Sequence, residues 1–491
     1  MSTHAQPTVG VRRRVGVEAS SSSYRWWALS CTSLGMLLAA TNSGTLIIAL
    51  PALERSLHTS ILSLVWVILA YMIASTVLVL SAGRMSDLFG RKNAYVAGFV
   101  LFAAASLGAG FAANGSQLIL WRIAQGVGSA FLFANAAALV TDAFPREQLG
   151  VAMGANTMVA AIGLVLGPVL GGALVGISWH WVFWFNVPLA LAGAAWGALV
   201  LHELAKPDSV RGFDLGGTAT FVLGLTALVF AVSRGGLSGW NDPVVLGGFA
   251  IAAVLLPVWV LIERRGRAPM LDLSIFRDRL FAAASVATFI NGLVRFALMF
   301  IFVFYFQGAQ GDSPITAGIK LMPLAIGMLI ASPIAGRYSD RHGSRALAAS
   351  GMVVTAVGLA LMTMLQVSSS FVFSAVTLAI VGVGSGMFMS PNTAAMMGAV
   401  PAHRRGIAAG ARVVLMNTGA VLSIAFVLAV VTAAIPKPTL LRIFSGLAHG
   451  LSAAKLAPFI NNMHAALWAM AVAAVVGALV SLMRPTHRSP A

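Results

Sequence analysis

Apolar residues run in stretches of about 20 along almost the whole chain, separated by short polar segments. A run of ~20 apolar residues is what an α-helix needs to cross ~30 Å of hydrocarbon. Period-two alternation is missing, and backbone groups in lipid are satisfied within each helix. The pattern predicts an all-α membrane protein with about fourteen spanning helices, the last over 464–483. One longer polar-containing segment, 435–463, reads either as an interfacial amphipathic helix or hairpin or as an ordered surface loop. A single run, "LLAATNSGTLIIALPAL" at 37–53, carries Thr41-Asn42-Ser43 near its middle. Polar groups inside spans face a protein interior or a wet cavity, because an unpartnered amide in hydrocarbon is costly.

The pattern also repeats. "GRMSDLFG" at 83–90 resembles "GRYSDRHG" at 336–343, and the stretch 126–155 resembles 382–411. The offsets are 253 and 256, and each pair falls at the same place in its half. The predicted organisation is a tail at 1–24, a six-helix bundle at 25–204 and a linker with an inserted two-helix hairpin at 205–279. A second six-helix bundle at 280–485 and a tail at 486–491 complete it. Internal repeats of this kind place a transport site at their interface near the midplane.

Composition agrees: 59% of the 491 residues are hydrophobic and 9% are charged, against about 25% charged in soluble proteins. The net charge of +17 does not point to nucleic acid, because no basic domain carries it. Twenty-two of the 31 Lys and Arg fall in alternate loops, which puts both termini in the cytoplasm by the positive-inside rule. The lone Cys31 allows no intrachain disulfide. Asn114-Gly-Ser matches a glycosylation pattern but is better explained as a turn.

Arg122, Arg295, Lys320 and Arg412 fall inside spans, and a buried Arg needs acceptors or a ligand. Carrying the repeat offsets across the two halves pairs Asn42 with Arg295 and Asn156 with Arg412 on opposite sides of a cavity. Asn291 lies one turn before Arg295 on the same helix face. Trp66, Tyr71, Phe296 and Phe300 are candidate lining aromatics, although ordinary core packing explains such residues as well. Lys320 is expected to snorkel to the interface. No span interior holds a carboxylate or histidine. Paired carboxylates, metal-ligand clusters and phosphate loops are missing, so neither an enzyme, a cofactor nor a metal site is expected.

Several motifs resemble those of the major facilitator superfamily. "GRMSDLFGRK", with Gly83, Asp87, Gly90 and Arg91, is similar to its loop between spans two and three, and Asp340 occupies the repeated position. "RIAQGVG", with Arg122 and Gln125, resembles the fourth-span motif. "GLVLGPVLGG", with Gly163, Gly167, Pro168 and Gly171, resembles the fifth-span antiporter motif. "WVILAY" and "IIALP" resemble the 14-span drug:proton antiporter branch, the EmrB/QacA type. The resemblance implies the major facilitator fold, two bundles rocking around a central cavity, and export of hydrophobic or amphiphilic compounds driven by protons. It also implies a monomer in the bacterial inner membrane. Counting back from Ala49-Leu50-Pro51, the acidic position of that branch falls on Asn42, an amide that cannot titrate. Uptake or facilitated diffusion of an anionic metabolite, and a non-transporting receptor or scaffold, are the other readings.

Overall fold

A computed structural model describes residues 23–485, apart from 60, 146–147, 205–213, 267–270, 272, 401–404, 433–434, 436–438, 440–441 and 444–452. Nearly all of the two tails, the linker segments 205–213, 267–270 and 272 flanking the hairpin, and much of 435–463 therefore lie outside the described residues. The rest is helical: α1 Tyr24–Leu57, α2 Ile61–Phe89, α3 Arg91–Ala109, α4 Gly115–Ala143 and α5 Leu149–Ile177 lead to the short α6 Trp181–Trp184 and α7 Asn186–Val200. Then come α8 Leu215–Ser238, α9 Pro243–Arg265, α10 Arg279–Val303, α11 Pro314–His342, α12 Ser344–Met362, α13 Phe371–Gly398, α14 Arg405–Thr432 and α15 Ala453–Leu482. Among the described residues, twelve helices are long and apolar enough to cross a membrane, fewer than the fourteen expected. The helices α5 and α14 are 29 and 28 residues long, and only shorter apolar stretches within them are described.

The elements recur along the chain. Helices α2 and α11 both have 29 residues, and α3 and α12 both have 19. Each of the latter pair starts after a glycine in the left-handed region, Gly90 at φ 96° and Gly343 at φ 85°, where a side chain would be strained. Close helix contacts recur as well. A Cβ added to Gly128 of α4 would stand 2.8 Å from the backbone of α3, and one added to Gly384 of α13 would stand 2.5 Å from that of α12. Small residues let helix backbones approach in lipid, where dispersion contact has to substitute for the hydrophobic effect.

The last helix starts eleven residues before the expected position. The apolar run is interrupted by Asn461, Asn462 and His464, and 435–463 reads from the sequence either as an amphipathic helix or hairpin or as an ordered loop. In the structure these groups find partners across helices: Asn462 Nδ2 donates to the Val431 carbonyl at 3.4 Å, and the His464 ring bonds the Leu365 carbonyl at 2.7 Å. Asn114 caps α4, its side chain accepting from Gln117 N at 2.9 Å, as the turn reading requires.

The hairpin α8–α9 packs against both α2 and α14. At its turn Asp242 accepts from Val244 N and from Arg234 Nε, both at 2.9 Å. These contacts hold its carboxyl below the usual range, the backbone bond contributing most.

Candidate functional site

The fifth-span glycines form a close seam on the N-terminal side. Gly163, Gly167 and Gly171 share one face of α5, and that face lies on α1. A Cβ at Gly167 would stand 2.9 Å from Gly44 Cα, and one at Gly171 2.8 Å from Thr45 Cα. Pro168 sits at the same crossing and also meets the C-terminal helices: a Cβ at Gly318 of α11 would stand 2.6 Å from the Pro168 carbonyl oxygen. This contact closes the end of the molecule away from the Gly90 and Gly343 turns. Nearer those turns, a Cβ at Gly410 of α14 would come within 3.0 Å of Leu80 on α2. The two groups of helices thus touch on both sides of the centre.

Between these contacts lies a cavity of about 140 Å³, measured as the room open to the centre of a water molecule. Helices from both repeats line it: α1, α2, α4 and α5 on one side, α10, α11, α13 and α14 on the other. Six methionines face it: Met36, Met72, Met153, Met328, Met389 and Met416. Methionine is unbranched and polarizable, so such a wall adapts to ligands of different shape. The polar lining is Ser43, Tyr71, Ser75, Asn156, Thr393 and Asn417, together with Arg295 and Arg412. No Asp, Glu or His is among the lining residues.

Of the residues singled out in the sequence, Tyr71, Asn156, Arg295, Phe296 and Arg412 line this cavity. Arg295 lies over the Phe296 ring at 4.8 Å, and a small side pocket between α10, α11 and α13 shares both residues with the main cavity. Asn156 Oδ1 accepts from Ser33 Oγ at 2.9 Å.

Six others do not line it. Asn42 is buried, and its Oδ1 accepts from Arg122 Nη1 at 3.4 Å and Gln125 Nε2 at 3.3 Å. Arg122 also donates from Nε to the Val67 carbonyl at 3.0 Å and from Nη1 to Gln125 Oε1. Its guanidinium covers the Tyr71 ring at 4.3 Å. Gln125 Nε2 continues to Ser106 Oγ at 2.7 Å, and Tyr71 OH bonds Ser129 Oγ at 2.8 Å. One network therefore ties α1, α2, α3 and α4 together and draws Asn42 out of the cavity. Asn291 is buried, with Nδ2 3.8 Å from Met352 Sδ. Phe300 is buried too, edge-on to Phe304 at 4.9 Å. Trp66 faces the inserted hairpin, 5.5 Å from the Phe230 ring, because α8 covers that side of α2. Lys320 reaches back to the loop before α11, pairing with Asp312 at 2.5 Å, and the Phe306 ring lies 5.3 Å away.

At the turn between α2 and α3, Arg91 pairs with Asp142 at 2.6 Å. The Glu203 carboxylate accepts from the backbone N–H groups of Arg91 and Lys92 at 2.9 and 3.1 Å, capping α3 beside Gly90. The glycine is needed for space as well as for φ, since a Cβ there would stand 2.6 Å from Glu203 Oε2. Gly83 opens this motif near the end of α2, 3.8 Å from Ala134 by the same measure. The side chains of Asp87 and Asp340 lie outside the described residues.

Two features escaped the sequence reading. The methionine lining has no periodic signal, since methionine counts as generic apolar. Arg484, one residue past the expected end of the last span at 483, is buried and donates to Asn392 Oδ1 and Ser481 Oγ. Among the described residues no group of three His, Cys, Asp or Glu is placed to hold a metal ion.

The model of the Major Facilitator Superfamily matches residues 32–424 and, in a second match, 284–491. Over 391 residues the chain is 32% identical to the multidrug resistance protein Stp of Mycobacterium tuberculosis, covering 78% of this chain and 71% of that protein. It is 32% identical over 417 residues to the puromycin resistance protein pur8 of Streptomyces alboniger, covering 84% and 82%. The tetracenomycin C resistance and export protein of Streptomyces glaucescens is 28% identical over 395 residues, covering 80% and 73%. Among solved structures, the human organic anion transporter MFSD10 superposes with a TM-score of 0.64 at 14% identity, covering 93% of this chain and 99% of that one, a likeness of fold alone.

Proposed function

This chain belongs to the Major Facilitator Superfamily, and from that premise we propose that its methionine-lined cavity is the substrate site of an exporter of amphiphilic small molecules. The protein is a drug-efflux-type membrane transporter. The observation that carries the site is that one cavity takes its walls from both repeats and is closed by contacts on either side of it. Rocking the repeats would part the Gly318–Pro168 contact while keeping the Gly410–Leu80 contact, or the reverse. The centre would then open to one face at a time, as alternating access requires.

In the finer reading the chain has fourteen spans and belongs to the EmrB/QacA branch. The lengths of α5 and α14 and the hairpin inserted between the repeats support it. The unit boundaries remain those read from the repeats, with a bundle on each side of 205–279, and the transporter works as a monomer. The excess of Lys and Arg in alternate loops supports an inner-membrane orientation with both termini in the cytoplasm. Proton coupling through the first span is not part of this reading. Position 42 holds an amide, and among the described residues no carboxylate or histidine lines the cavity.

The test is counterflow of a fluorescent amphiphile in liposomes, alongside growth of a pump-deficient strain exposed to a panel of toxic amphiphiles. Accelerated counterflow that Gly167→Leu abolishes is the expected result. Failure of the unmodified protein to exchange any member of the panel would remove the exporter reading.

A further inference from the structure

Arg295 and Arg412 stand on the same wall of the cavity, contributed by α10 and α14. The Nε atoms of both are enclosed and have no hydrogen-bond partner among the described residues. Among the described residues the only hydrogen-bond acceptor for the Arg295 head is the Met328 thioether, 4.0 Å from Nη1, a weak one. Guanidinium groups stay charged in proteins. Two like charges in a low-dielectric site repel each other and keep unfilled donors, and a buried donor without an acceptor is expensive. Native structures leave such groups open where a ligand completes them. The facing wall supplies only neutral groups: Ser43, Tyr71, Ser75 and Asn156. The methionines give apolar surface on both sides.

We infer that the cavity takes single-tailed amphiphiles with an oxyanion headgroup, a carboxylate or a phosphate, gripped by Arg295 and Arg412 with the tail lying on the methionines. A planar guanidinium matches these headgroups bidentately, and two of them converging on one oxyanion satisfy donors and relieve repulsion together. The stacking of Arg295 on Phe296 fixes one of the two forks before the ligand arrives. A cationic amphiphile meets the opposite situation, with two fixed positive charges and no carboxylate among the lining residues. This assignment rests on the reading of the cavity as the substrate site.

Binding to the full chain in lipid nanodiscs tests it without requiring transport, so loss of the export reading and loss of this one are separable. The probes are decyl phosphate, decanoate and decyltrimethylammonium, with inorganic phosphate as the headgroup alone. The two anionic amphiphiles should bind at least about tenfold more tightly than the cation. Inorganic phosphate should compete only at far higher concentration, since it lacks the tail. Arg295→Gln and Arg412→Gln should each weaken decyl phosphate about tenfold. Arg295→Lys and Arg412→Lys, which keep charge but lose the fork, should fall between. An unchanged melting midpoint shows that a variant is folded. Competition by lysophosphatidic acid, a single-chain lipid, would identify a lipid source for the headgroup, and its failure to compete a free metabolite; either supports the assignment. Equal or tighter binding of decyltrimethylammonium to the unmodified chain would overturn it. So would full decyl phosphate affinity in the folded Arg295→Gln and Arg412→Gln variants.

Discussion

The arginine of α4 and the arginines of α10 and α14 have the same side chain inside the same membrane protein, and they are treated in opposite ways. Arg122 is buried at 1% exposure among neutral acceptors: a backbone carbonyl, two amide oxygens and the face of Tyr71. No carboxylate is among its partners, so its charge is stabilised by dipoles alone. Arg295 and Arg412 open onto the cavity with donors unfilled. An intramembrane arginine is therefore not by itself a binding residue. Accounting for its hydrogen bonds separates one that ties helices together from one that waits for a ligand.

The largest expected effect breaks that comparison at Arg122. Arg122→Leu leaves Gln125 Oε1 without its donor and empties the stack on Tyr71, at a cost of about 3 kcal/mol. Arg295→Leu removes donors that had no partner and should leave stability nearly unchanged. Thermal melting of the two variants in detergent reads the difference, with a clearly lowered midpoint for Arg122→Leu alone. Equal losses would erase the distinction between tie and ligand site.

Next in size is the seam between the repeats. Gly318→Leu places a side chain against the Pro168 carbonyl, which is backbone and cannot swing aside. Overpacking of this kind costs about 1–3 kcal/mol, enough to shift a two-state equilibrium from about fivefold to more than a hundredfold toward the form in which the contact is parted. Ser43 lines the cavity. In a Cys31→Ser background, a cysteine replacing Ser43 should become reachable from outside when Gly318→Leu is present, while export falls to below about a tenth. Unaltered labelling and export would show that this contact does not gate the cavity.

Much of this arrangement was legible in the residues, and the parts that were not share a cause. The repeat offsets recovered the matching turns at Gly90 and Gly343, because turns are set by local sequence. Spacing placed Gly163, Gly167 and Gly171 on one helix face, because that is fixed by helical period. The same offsets paired Asn156 with Arg412, and both line the cavity. They also paired Asn42 with Arg295, and only Arg295 does. A count along the chain gives depth in the membrane but not the rotation of a helix about its axis. Rotation at Asn42 is set by Arg122 and Gln125, which reach it from another helix. Trp66 was misplaced for the same reason: its partner Phe230 sits on a hairpin more than 150 residues away in sequence. Polar residues that find partners across helices, such as Asn462 and His464, break the apolar pattern without breaking the helix.

If the cationic wall carries the substrate, the driving force should follow charge rather than protons. An anion leaving a cell whose interior is negative gains about 2.3 kcal/mol per charge for every 100 mV. Export of an anionic amphiphile from liposomes should therefore rise with a potassium–valinomycin potential, negative on the side it leaves, at equal pH on both sides. With the potential clamped at zero, a pH gradient alone should have little effect. Strong gradient-driven transport by the unmodified protein under that clamp would contradict a cavity whose lining holds no carboxylate or histidine.

The smallest effect, and the sharpest on the comparison, is at Asn42. Its Nδ2 is buried and lacks a partner, while its Oδ1 already accepts from Arg122 and Gln125. Asn42→Asp exchanges the unfilled donor for a second acceptor beside the Arg122 guanidinium, 3.4 Å away by the existing contact. The fold should tolerate it, because the substitution is isosteric and gives Arg122 the counter-ion it lacks. Arg122 stands behind the cavity wall and Arg295 and Arg412 on it, so the headgroup clamp stays intact and anion affinity should fall by less than about threefold. What should change is the pH response. A carboxyl can exchange a proton between the two open states where an amide cannot, so the variant's transport should depend more steeply on a pH gradient than the parent's. Measuring both proteins at clamped potential across the same gradient decides it. A variant with unaltered gradient dependence would mean that position 42 is sealed from protons on both faces, leaving Arg122 and its neighbours a purely structural tie.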